Sequence, residues 1–519
     1  MAGQEVQVVQ TVEIPFMALS LLVLFLGGLL IYVFKSRLSH SAGAIAGGVS
    51  FLATVLMVPP FFRVFVERGT AFEGFTWSAV LGQFGLNLDG IAFPITFAVV
   101  VLGFLSVVYA LGYTEHTESK PTFFANQLFF LMGMQWVTLA TNLIEFFIAW
   151  ELMLVPSYFL ILFWGLPETK QRTATKFWLY TQAGAVTILI GFAILVYVMN
   201  LYTGSYSFEL ATIQGMYPSI RNAESLLKAV FVLLAAGFLV KMAVFPIHWW
   251  LPPVHAEAPT PISVLLSGAM IETGAYALVR FGTMTLGVAA ENLSFWIAAL
   301  GVLTMFYGGV MALAQKDIKR LLAYSSVSQM GYVLFALGVF TVSGTSGGLF
   351  HLINHAFSKG LLFMAAGVVI HQTQIRDIDS LGGLSNKMPI TAFTAAVGAM
   401  SIAGSPPLSG FASEWLMFLG GFDAATASGN TAFLVLSVIA VSSTILSAGY
   451  MLRFLWKVFL GPSPEHLEHV SEGPRSMTLP MIILAALIVL FGIFPSVALD
   501  IIVPAVERIT DIIPWVPWG

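Results

Sequence analysis

The amino-acid sequence predicts an all-α integral membrane protein, and three observations predict this fold class. Hydrophobic residues make up 58% of the 519 residues and charged residues only 9%, whereas a soluble globular protein carries roughly 25% charged residues. The apolar residues form continuous runs as long as the roughly 20 residues that a helix needs to cross a bilayer. These runs lack the alternation of a membrane barrel, which argues against β-strands.

About 14 segments are long and apolar enough to be transmembrane helices. The first is expected to be a retained helix, because residues 1–13 before it are polar and acidic and lack the basic region of a cleaved signal peptide. In chain order the predicted helices are 14–34, 42–62, 90–112, 121–141, 143–165, 174–199, 226–253, 259–283, 293–314, 318–340, 346–371, 388–422, 431–456 and 478–499.

Two of these helices are discontinuous. Predicted helix 7 contains Lys241-Met-Ala-Val-Phe-Pro246, and predicted helix 12 contains Gly404-Ser-Pro-Pro407. Proline removes a backbone donor, and the freed groups are tolerated at membrane depth only inside protein or beside a water-filled cavity. Because the breaks are five helices apart, we expect two five-helix repeats, which an odd number of helices inverts in the membrane. The expected units are 1–120 (helices 1–3), 121–285 (first repeat), 286–460 (second repeat) and 461–519 (helix 14 and a tail).

The distribution of basic residues predicts the orientation. Of the 22 Lys and Arg residues, fourteen fall in odd-numbered loops or at the adjoining helix ends, six fall in even-numbered loops, at the adjoining helix ends or in the C-terminal tail, and Lys241 and Lys359 fall well within helices. The positive-inside rule then places the odd loops in the cytoplasm and both termini outside, in the cell membrane of a prokaryote. Residues 501–513 are amphipathic and are expected either to lie along the membrane surface or to form a frayed tail.

Composition also excludes several classes of cofactor and partner. The chain has no cysteine, which removes disulfides, thiolate metal sites and iron–sulfur ligation. We therefore expect no cofactor on this chain and any redox centre on another one. The net charge of -4 argues against a nucleic-acid partner, and the expected surroundings of the chain are the lipid bilayer.

Ionisable residues inside the predicted helices are functional candidates, because a charge at the bilayer centre costs from about 3 to more than 10 kcal/mol. Glu151 lies in helix 5, and Lys241 lies at the break of helix 7. At about 7 Å and an effective dielectric constant of about 20, such a pair is worth about 2.4 kcal/mol, which suits a switch that holds a proton when closed and releases it when open. The alternatives are a protonated Glu151 bonded to a backbone carbonyl and a permanently paired lysine.

A second set of ionisable residues lies in helices 8 and 11. Glu272, in the middle of helix 8, is expected to be a second acidic relay group or the salt-bridge partner of Lys241 or Lys359. His351, His355 and Lys359 recur at i, i+4 and i+8, so they share one stripe of helix 11. Histidine titrates near neutral pH and suits proton transfer; buried structural histidines are the alternative. A metal site is not expected, because no Asp, Glu or Cys stands nearby in the sequence and the lysine repels a cation.

The remaining candidates lie close to the two breaks. Glu414, just past the break of helix 12, is expected to occupy the place that Lys241 holds in the first repeat, or else to cap the restarted helix. His248, His255 and Glu257, towards the cytoplasmic end of helix 7, are expected to form either an access region for ions or a solvated loop.

Four motifs stand in the order and spacing of a known family: FFIAWELMLVPSYFLI, VKMAVFPIHWWLPPVHAEAPTPIS, KDIKRLLAYSSVSQMGYVLF and SPPLSGFASEWL. They resemble the antiporter-like subunits of respiratory complex I and of Mrp cation/proton antiporters over about residues 85 to 460. The resemblance is strongest to the NuoM and NdhD type, which has related subunits in membrane-bound hydrogenases. The resemblance implies fourteen helices, two inverted five-helix repeats and broken helices 7 and 12. It also implies that Glu151 and Lys241 are the family's glutamate–lysine pair and that Glu414 is its exit-side acid.

Three positions depart from the NuoM type. Glu272 stands where that type usually has a lysine, and Gln329 stands where it has a histidine. The HAFSK run that contains Lys359 resembles the NuoL and MrpA types instead. Together these departures imply that the central lysine has moved from helix 8 to helix 11.

The sequence therefore predicts a proton-pumping membrane subunit of a multi-subunit, redox-driven complex. Its expected partners are other membrane subunits, including further antiporter-like ones, and a peripheral redox module. The alternatives are a member of an Mrp-type Na⁺/H⁺ antiporter, the Na⁺-translocating subunit of a hydrogenase-like complex, and a spacer that no longer conducts. The residues expected to relay the protons are Glu151, Lys241, Glu272, His351, His355, Lys359 and Glu414.

Overall fold

The computed structural model describes residues 14–78, 80–115, 119–166 and 168–512. For residues 510–512 it describes the backbone only. The segment 1–13 and the last residue of the amphipathic stretch 501–513 lie outside these ranges. Among the described residues, all fourteen predicted segments contain helix, and eleven helices are long and apolar enough to cross a membrane. The helices are α1 (Phe16–Val33), α2 (Ala42–Leu56), α3 (Val58–Phe65), α4 (Phe93–Tyr113), α5 (Lys120–Leu139), α6 (Leu143–Trp164), α7 (Lys170–Thr203), α8 (Leu210–Ile220), α9 (Glu224–Lys241), α10 (Leu251–Glu257), α11 (Thr260–Glu291), α12 (Ser294–Ala314), α13 (Ile318–Gly338), α14 (Val342–Thr373), α15 (Pro389–Ile402), α16 (Ser409–Ser428), α17 (Thr431–Leu460), α18 (Arg475–Ile493) and α19 (Ser496–Ile512).

Three helices form the centre of the bundle and are surrounded by protein. The most apolar stretch of α11 is completely buried, and 94% of that of α13 and α14 is buried, whereas only 28% of that of α17 is. The outward-facing surfaces of the peripheral helices are apolar, as lipid contact requires. Polar side chains on α11, α13 and α14 must therefore find their partners inside the protein.

A β-hairpin between α3 and α4 corrects the prediction that the chain lacks strands. β1 (Ala71–Ser78) pairs antiparallel with β2 (Gly82–Leu88). Glu73 of β1 accepts hydrogen bonds from the backbone N–H groups of Met17 (2.7 Å) and Ala18 (2.9 Å), at the free N-terminus of α1. The argument against strands holds for barrels in the hydrocarbon, whereas this hairpin lies at the end of the helices and caps one of them.

Both predicted helix breaks are present. α9 ends at Lys241 before α10 begins at Leu251, and α15 ends at Ile402 before α16 begins at Ser409. The two breaks share the same backbone hydrogen bonds, residue for residue. In the first match, the N–H of Met242 donates to the carbonyl of Phe238 and that of Ala403 to Ala399 (both 2.9 Å). In the second, the N–H of Ala243 donates to Val240 and that of Gly404 to Ser401 (both 3.1 Å). In the third, the N–H of Val244 donates to Leu239 (3.2 Å) and that of Ser405 to Met400 (3.0 Å).

The match between the breaks corrects the predicted equivalence of Glu414 and Lys241. The shared hydrogen bonds pair Lys241, the last residue before its break, with Ile402. Glu414 instead lies in the helix that restarts after the second break. The lysine and the glutamate therefore approach the two breaks from opposite sides.

The segment 200–225, which connects two of the predicted transmembrane helices, contains the helix α8. Its start is anchored to the beginning of α6: the N–H of Leu143 donates to the carbonyl of Phe208 (2.8 Å), and the N–H of Leu210 donates to the carbonyl of Thr141 (2.9 Å). The connection is therefore an ordered part of the hairpin end of the molecule.

Four glycines bring the backbones of α12 and α13 into direct contact. A Cβ atom added at Gly301 or Gly308 of α12 would lie 2.4 Å from a backbone nitrogen of α13, and one added at Gly331 or Gly338 of α13 would lie 2.4 Å from a backbone nitrogen of α12. Small residues at helix interfaces permit this approach in membrane proteins. Because α13 carries Gln329, the contact fixes the position of that side chain relative to the neighbouring helices.

We predict that Gly308→Ala lowers the melting temperature of the detergent-solubilised protein, because the added methyl group forces the two helices apart at a typical overpacking cost of about 1–3 kcal/mol. The matched control is Gly48→Ala in α2, where an added Cβ meets no atom within 4 Å and alanine is the better helix former. Equal melting temperatures of the two variants would contradict the packing argument.

Candidate functional site

Six of the seven residues predicted to relay ions are buried inside the bundle. These six residues, between 0% and 4% exposed, are Lys241, Glu272, His351, His355, Lys359 and Glu414. Glu151 on α6 is partly exposed. Hydrogen bonds and close contacts divide the set into groups centred on α9, α11, α14 and α16.

The central group is a carboxyl–imidazole pair between α11 and α14. His355 Nδ1 lies 2.7 Å from Glu272 Oε1, and both side chains are completely buried. The predicted alternative that Glu272 pairs with Lys241 or Lys359 is therefore wrong, since its partner is a histidine. The other oxygen of Glu272 and Nε2 of His355 have no hydrogen-bond partner among the described residues. The pair can hold one proton between Glu272 Oε1 and His355 Nδ1, while Glu272 Oε2 and His355 Nε2 remain available to other groups.

The helix around Glu272 is not a regular α-helix. π-helical turns at Leu266–Met270 and Leu278–Thr283 flank the short α-helical stretch that contains Glu272. Each π turn accommodates one extra residue, and such turns occur frequently at functional sites. They change the direction in which the side chains of α11 point, which a regular helical period does not predict.

A second group surrounds His351 on α14. Its Nε2 lies 2.8 Å from Gln329 Oε1, and its Nδ1 lies 2.9 Å from Ser413 Oγ. Because an amide oxygen only accepts, Nε2 carries a proton. The Ser413 hydroxyl also lies 2.9 Å from the carbonyl of Gly410, and it has one proton to donate. It therefore donates to His351 Nδ1 when the ring is neutral and to Gly410 when the ring is doubly protonated, so that its rotation is coupled to the charge of His351.

Glu414 lies next to this group, at the second helix break. Its carboxyl group is buried, and Oε1 lacks a hydrogen-bond partner in the described part of the chain. A Cβ atom added at Gly404 would lie 2.3 Å from Glu414 Oε2, and Gly404 has a φ of +67°, so glycine alone permits the carboxyl group to sit against the break. Ser401 Oγ accepts a hydrogen bond from the N–H of Gly410 (3.3 Å) at the N-terminus of α16, so the cap that the sequence predicted at Glu414 is supplied by Ser401 instead.

The Glu151–Lys241 pair is open in this structure. Lys241 Nζ lies 4.7 Å from the centre of the Trp150 ring and has no hydrogen-bond partner among the residues described here, and Glu151 Oε1 also lacks one. The two groups interact electrostatically without an ion-pair contact. A cation over an indole face gains part of the stabilisation that a hydrogen bond would supply. Trp150 therefore holds the lysine side chain in place, and the ammonium group makes no direct ion pair with Glu151.

The backbone of α11 links this pair to the central group. A Cβ atom added at Gly274 would lie 2.7 Å from the carbonyl oxygen of Phe238 and 3.2 Å from the nitrogen of Met242. The α11 turn that begins with Glu272 thus rests directly on the end of α9 that carries Lys241. The first break and the turn that carries Glu272 are therefore in direct backbone contact.

Lys359 shares a stripe of α14 with the two histidines but points to a different partner. Its Nζ bonds to Ser325 Oγ and lies 3.4 Å from the carbonyl of Leu322, both on α13. It also interacts electrostatically with His255. His255 is completely buried against the ring of Phe363, and neither of its nitrogens has a partner within the described ranges. The predicted alternative of a solvated loop at His255 is therefore wrong.

Several residues of the site were not predicted. Gln329 appeared only as a departure from a family pattern, and Ser413, Ser325 and Trp150 were not predicted at all. Only the proximity of Ser413 to a helix break, and of Trp150 to Glu151, gave a signal in the sequence. No group of three or more His, Asp or Glu residues in the described segments is placed to hold a metal ion.

Comparison with known proteins gives a consistent set of relatives. The family described as NADH:quinone oxidoreductase/Mrp antiporter, TM, matches residues 140–440. NAD(P)H-quinone oxidoreductase chain 4 1 of Synechococcus sp. (strain JA-3-3Ab) is 34% identical, over 82% of this chain and 79% of that protein. A probable K⁺/H⁺ antiporter protein of Rhizobium meliloti is 35% identical over 94% of this chain, which spans about half (48%) of that longer relative. A chain in the structure of the membrane-bound sulfane sulfur reductase, an archaeal respiratory membrane complex, superposes with a TM-score of 0.80 at 27% identity, over 92% of this chain and 76% of that one.

We predict that the buried carboxyl group of Glu272 responds to its histidine partner. In pH-jump infrared difference spectra of the purified protein, Glu272→Gln is expected to remove one carboxyl C=O stretching band. His355→Leu is expected to shift the same band to higher frequency, because the carboxyl group loses a hydrogen bond. His371→Leu, a change at the far end of the same helix, is the control. A band unchanged by His355→Leu, or equally shifted by His371→Leu, would contradict the pairing.

Proposed function

This chain belongs to the NADH:quinone oxidoreductase/Mrp antiporter transmembrane family, and from that premise we propose that it is the proton-translocating membrane subunit of a redox-driven complex. It is a multi-pass membrane protein whose relatives translocate ions. The observation that carries the proposal is the Glu272–His355 pair, which is completely buried and has an unused polar atom on each side. A buried polar group without a partner is costly, and such a pair is suited to receive and pass on a proton.

The proposed path is a row of three groups. Glu151 and Lys241 supply a switch on one side, Glu272 and His355 form the junction, and the group of His351 and Glu414 leads away on the other side. Each group contains a buried polar atom without a partner among the described residues. Water molecules with polar neighbours on both sides can bridge the gaps between the groups, which supports the proposed row. Lys359, bonded to Ser325 Oγ and close to the carbonyl of Leu322, lies beside the row, and in its protonated form it favours proton release from neighbouring groups.

The first step depends on the distance between Glu151 and Lys241. When the carboxylate approaches, it favours the charged lysine by about 2.4 kcal/mol at about 7 Å and an effective dielectric constant of about 20. When the pair opens, as in this structure, the lysine keeps its contact with Trp150 and an electrostatic attraction to Glu151 without an ion-pair contact, and its proton is released more readily to Glu272. Because α11 rests on the end of α9, opening of the pair and the position of Glu272 change together.

We propose that the chain has fourteen transmembrane helices with inverted repeats at 121–285 and 286–460. Two pairs of matching features support the repeats. The hydrogen bonds of the two helix breaks correspond residue for residue, and the first residues of α6 and α13 are bridged alike, by Leu143 N–H to Phe208 O (2.8 Å) and Ile318 N–H to Arg376 O (2.9 Å). An odd number of helices between these features inverts the second unit.

The proposed location is the cell membrane of a prokaryote, with the odd loops in the cytoplasm and both termini outside. The excess of basic residues in the odd loops supports this orientation. The β-hairpin and α8 would then lie on the outer side, at the end of the molecule where α4 begins and α11 ends.

The proposed partners are further membrane subunits, including antiporter-like ones, and a peripheral redox module. The similarity to a chain of an archaeal respiratory membrane complex supports this assembly. The chain has no cysteine for an iron–sulfur cluster, so the electron carriers would reside on the partners. No nucleic acid is proposed as a partner.

Membership of a cation/proton antiporter is the second candidate, supported by the 35% identity to a probable K⁺/H⁺ antiporter protein. The two candidates differ in their requirement for a second cation. In proteoliposomes of the purified native complex, a redox-driven proton pump continues to acidify the lumen when choline replaces all Na⁺ and K⁺. Loss of proton movement under these conditions would favour the antiporter.

We predict that Lys241→Met abolishes proton translocation while the complex remains assembled, because the methionine keeps the bulk of the lysine side chain and removes its charge. The matched control is Lys228→Met on the same helix, where the lysine is exposed and pairs with Glu224 at 2.6 Å. An exposed pair of this kind contributes about 1 kcal/mol or less. Proton flux is measured with a pH-sensitive dye in proteoliposomes, and co-purified subunits verify assembly. Normal pumping by Lys241→Met would contradict the proposed path.

A further inference from the structure

A polar cavity lies at the hairpin end of α11, outside the row described above. Its volume is about 470 Å³, and its walls come from the hairpin, α8 and α11. Several of its lining residues carry charges or hydrogen-bonding groups: Gln83, Asp89, Glu209, Gln214, Tyr276 and Arg280. A cavity of this size and polarity holds many water molecules.

One face of α11 connects the cavity to Glu272. Tyr276, Arg280 and Met284 line the cavity at intervals of four residues, and Glu272 precedes Tyr276 by the same interval. A helical turn rises about 5.4 Å, so the cavity ends about one turn from Glu272. The oxygen Oε2 of Glu272 has no hydrogen-bond partner in the described part of the molecule and is therefore free to bond to a water molecule.

An ion pair forms part of the cavity wall next to Tyr276. Arg280 Nη2 lies 2.5 Å from Asp89 Oδ1, and Arg280 Nε donates to the Tyr276 hydroxyl at 3.1 Å. Asp89 also accepts hydrogen bonds from the N–H groups of Ile91 (3.0 Å) and Ala92 (2.9 Å), at the start of α4. The guanidinium group is thus fixed between α4 and α11 and is only 7% exposed.

The ion pair is ionised at neutral pH. Burial alone would raise the pKa of Asp89, but the neighbouring guanidinium and the two N–H groups lower it below its ordinary value. Glu209, which accepts a hydrogen bond from the N–H of Gln83 at 2.9 Å, supplies a further carboxyl group in the cavity. Without Arg280, these two carboxyl groups would form a cavity that attracts cations.

We propose that this cavity is the hairpin-side mouth of a proton route to Glu272 through Tyr276, and that Arg280, held by Asp89, keeps alkali cations out of it. The inference rests on the proposed function. The Tyr276 hydroxyl uses one lone pair to accept from Arg280 Nε. Its other lone pair can take a proton from cavity water while its own proton passes through a bridging water molecule to Glu272, so that the hydroxyl is unchanged after the transfer. A fixed guanidinium in a narrow passage repels Na⁺ and K⁺ and leaves transfer along hydrogen bonds open.

The experiment uses the purified native complex in proteoliposomes and measures protons pumped per electron transferred, with and without Na⁺ on the hairpin side. Tyr276→Phe is expected to lower this chain's share of the ratio by about tenfold or more, because a positioned proton donor typically contributes at least that much to the rate of transfer. Arg280→Gln is expected to make the ratio fall with added Na⁺, because Na⁺ then competes at Asp89 and Glu209. Arg280→Lys, which retains the charge, and Arg68→Gln, which breaks an exposed pair with Asp500, are expected to remain insensitive to Na⁺ like the native protein.

Normal pumping by Tyr276→Phe would overturn the route, and indifference of Arg280→Gln to Na⁺ would overturn the role of the arginine. These results differ from a failure of the proposed function. If Lys241→Met pumps normally, the function is wrong. If Lys241→Met is inactive and Tyr276→Phe pumps normally, only the hairpin-side route is wrong.

Discussion

Polar side chains inside this membrane bundle have to find their partners in protein, and the arrangement of the bundle depends on that constraint. The three helices with the most buried surfaces, α11, α13 and α14, also carry Glu272, Gln329 and His351. Glycine contacts hold α13 close to α12, and π turns direct the side chains of α11. The polar side chains that are most costly to bury in a membrane therefore lie where neighbouring helices, and not lipid, surround them.

Buried charges with hydrogen-bond partners and buried charges without them both occur in the molecule. Asp89 and Arg280 are bonded to each other and to further groups, as expected of a pair that keeps a fixed structure. Glu151, Lys241, Glu272 and Glu414 each retain a buried atom without a partner among the described residues. Since such atoms are costly, their presence in one continuous region favours a role in conduction over a role in stability.

The sequence predicted the features that depend on local pattern. Long apolar runs located the helices, prolines located both breaks at Lys241 and Gly404, and the cost of burying charge identified the candidate residues. Features that depend on tertiary contact were not predictable in this way. His355 as the partner of Glu272, and Gln329 and Ser413 as partners of His351, come from different helices, whose packing the local pattern does not specify. The hairpin at 71–88 was missed because the argument against strands addressed only segments inside the hydrocarbon, and the π turns were missed because each adds one residue to an otherwise regular period.

The central claim is that the Glu272–His355 pair is the junction through which protons pass. Its most direct test is the number of protons pumped per electron transferred by the assembled complex with Glu272→Gln, which keeps the shape of the side chain and removes its ionisable group. The account predicts that electron transfer and assembly persist while this chain's share of the pumped protons is lost. A full native ratio in this variant would contradict it.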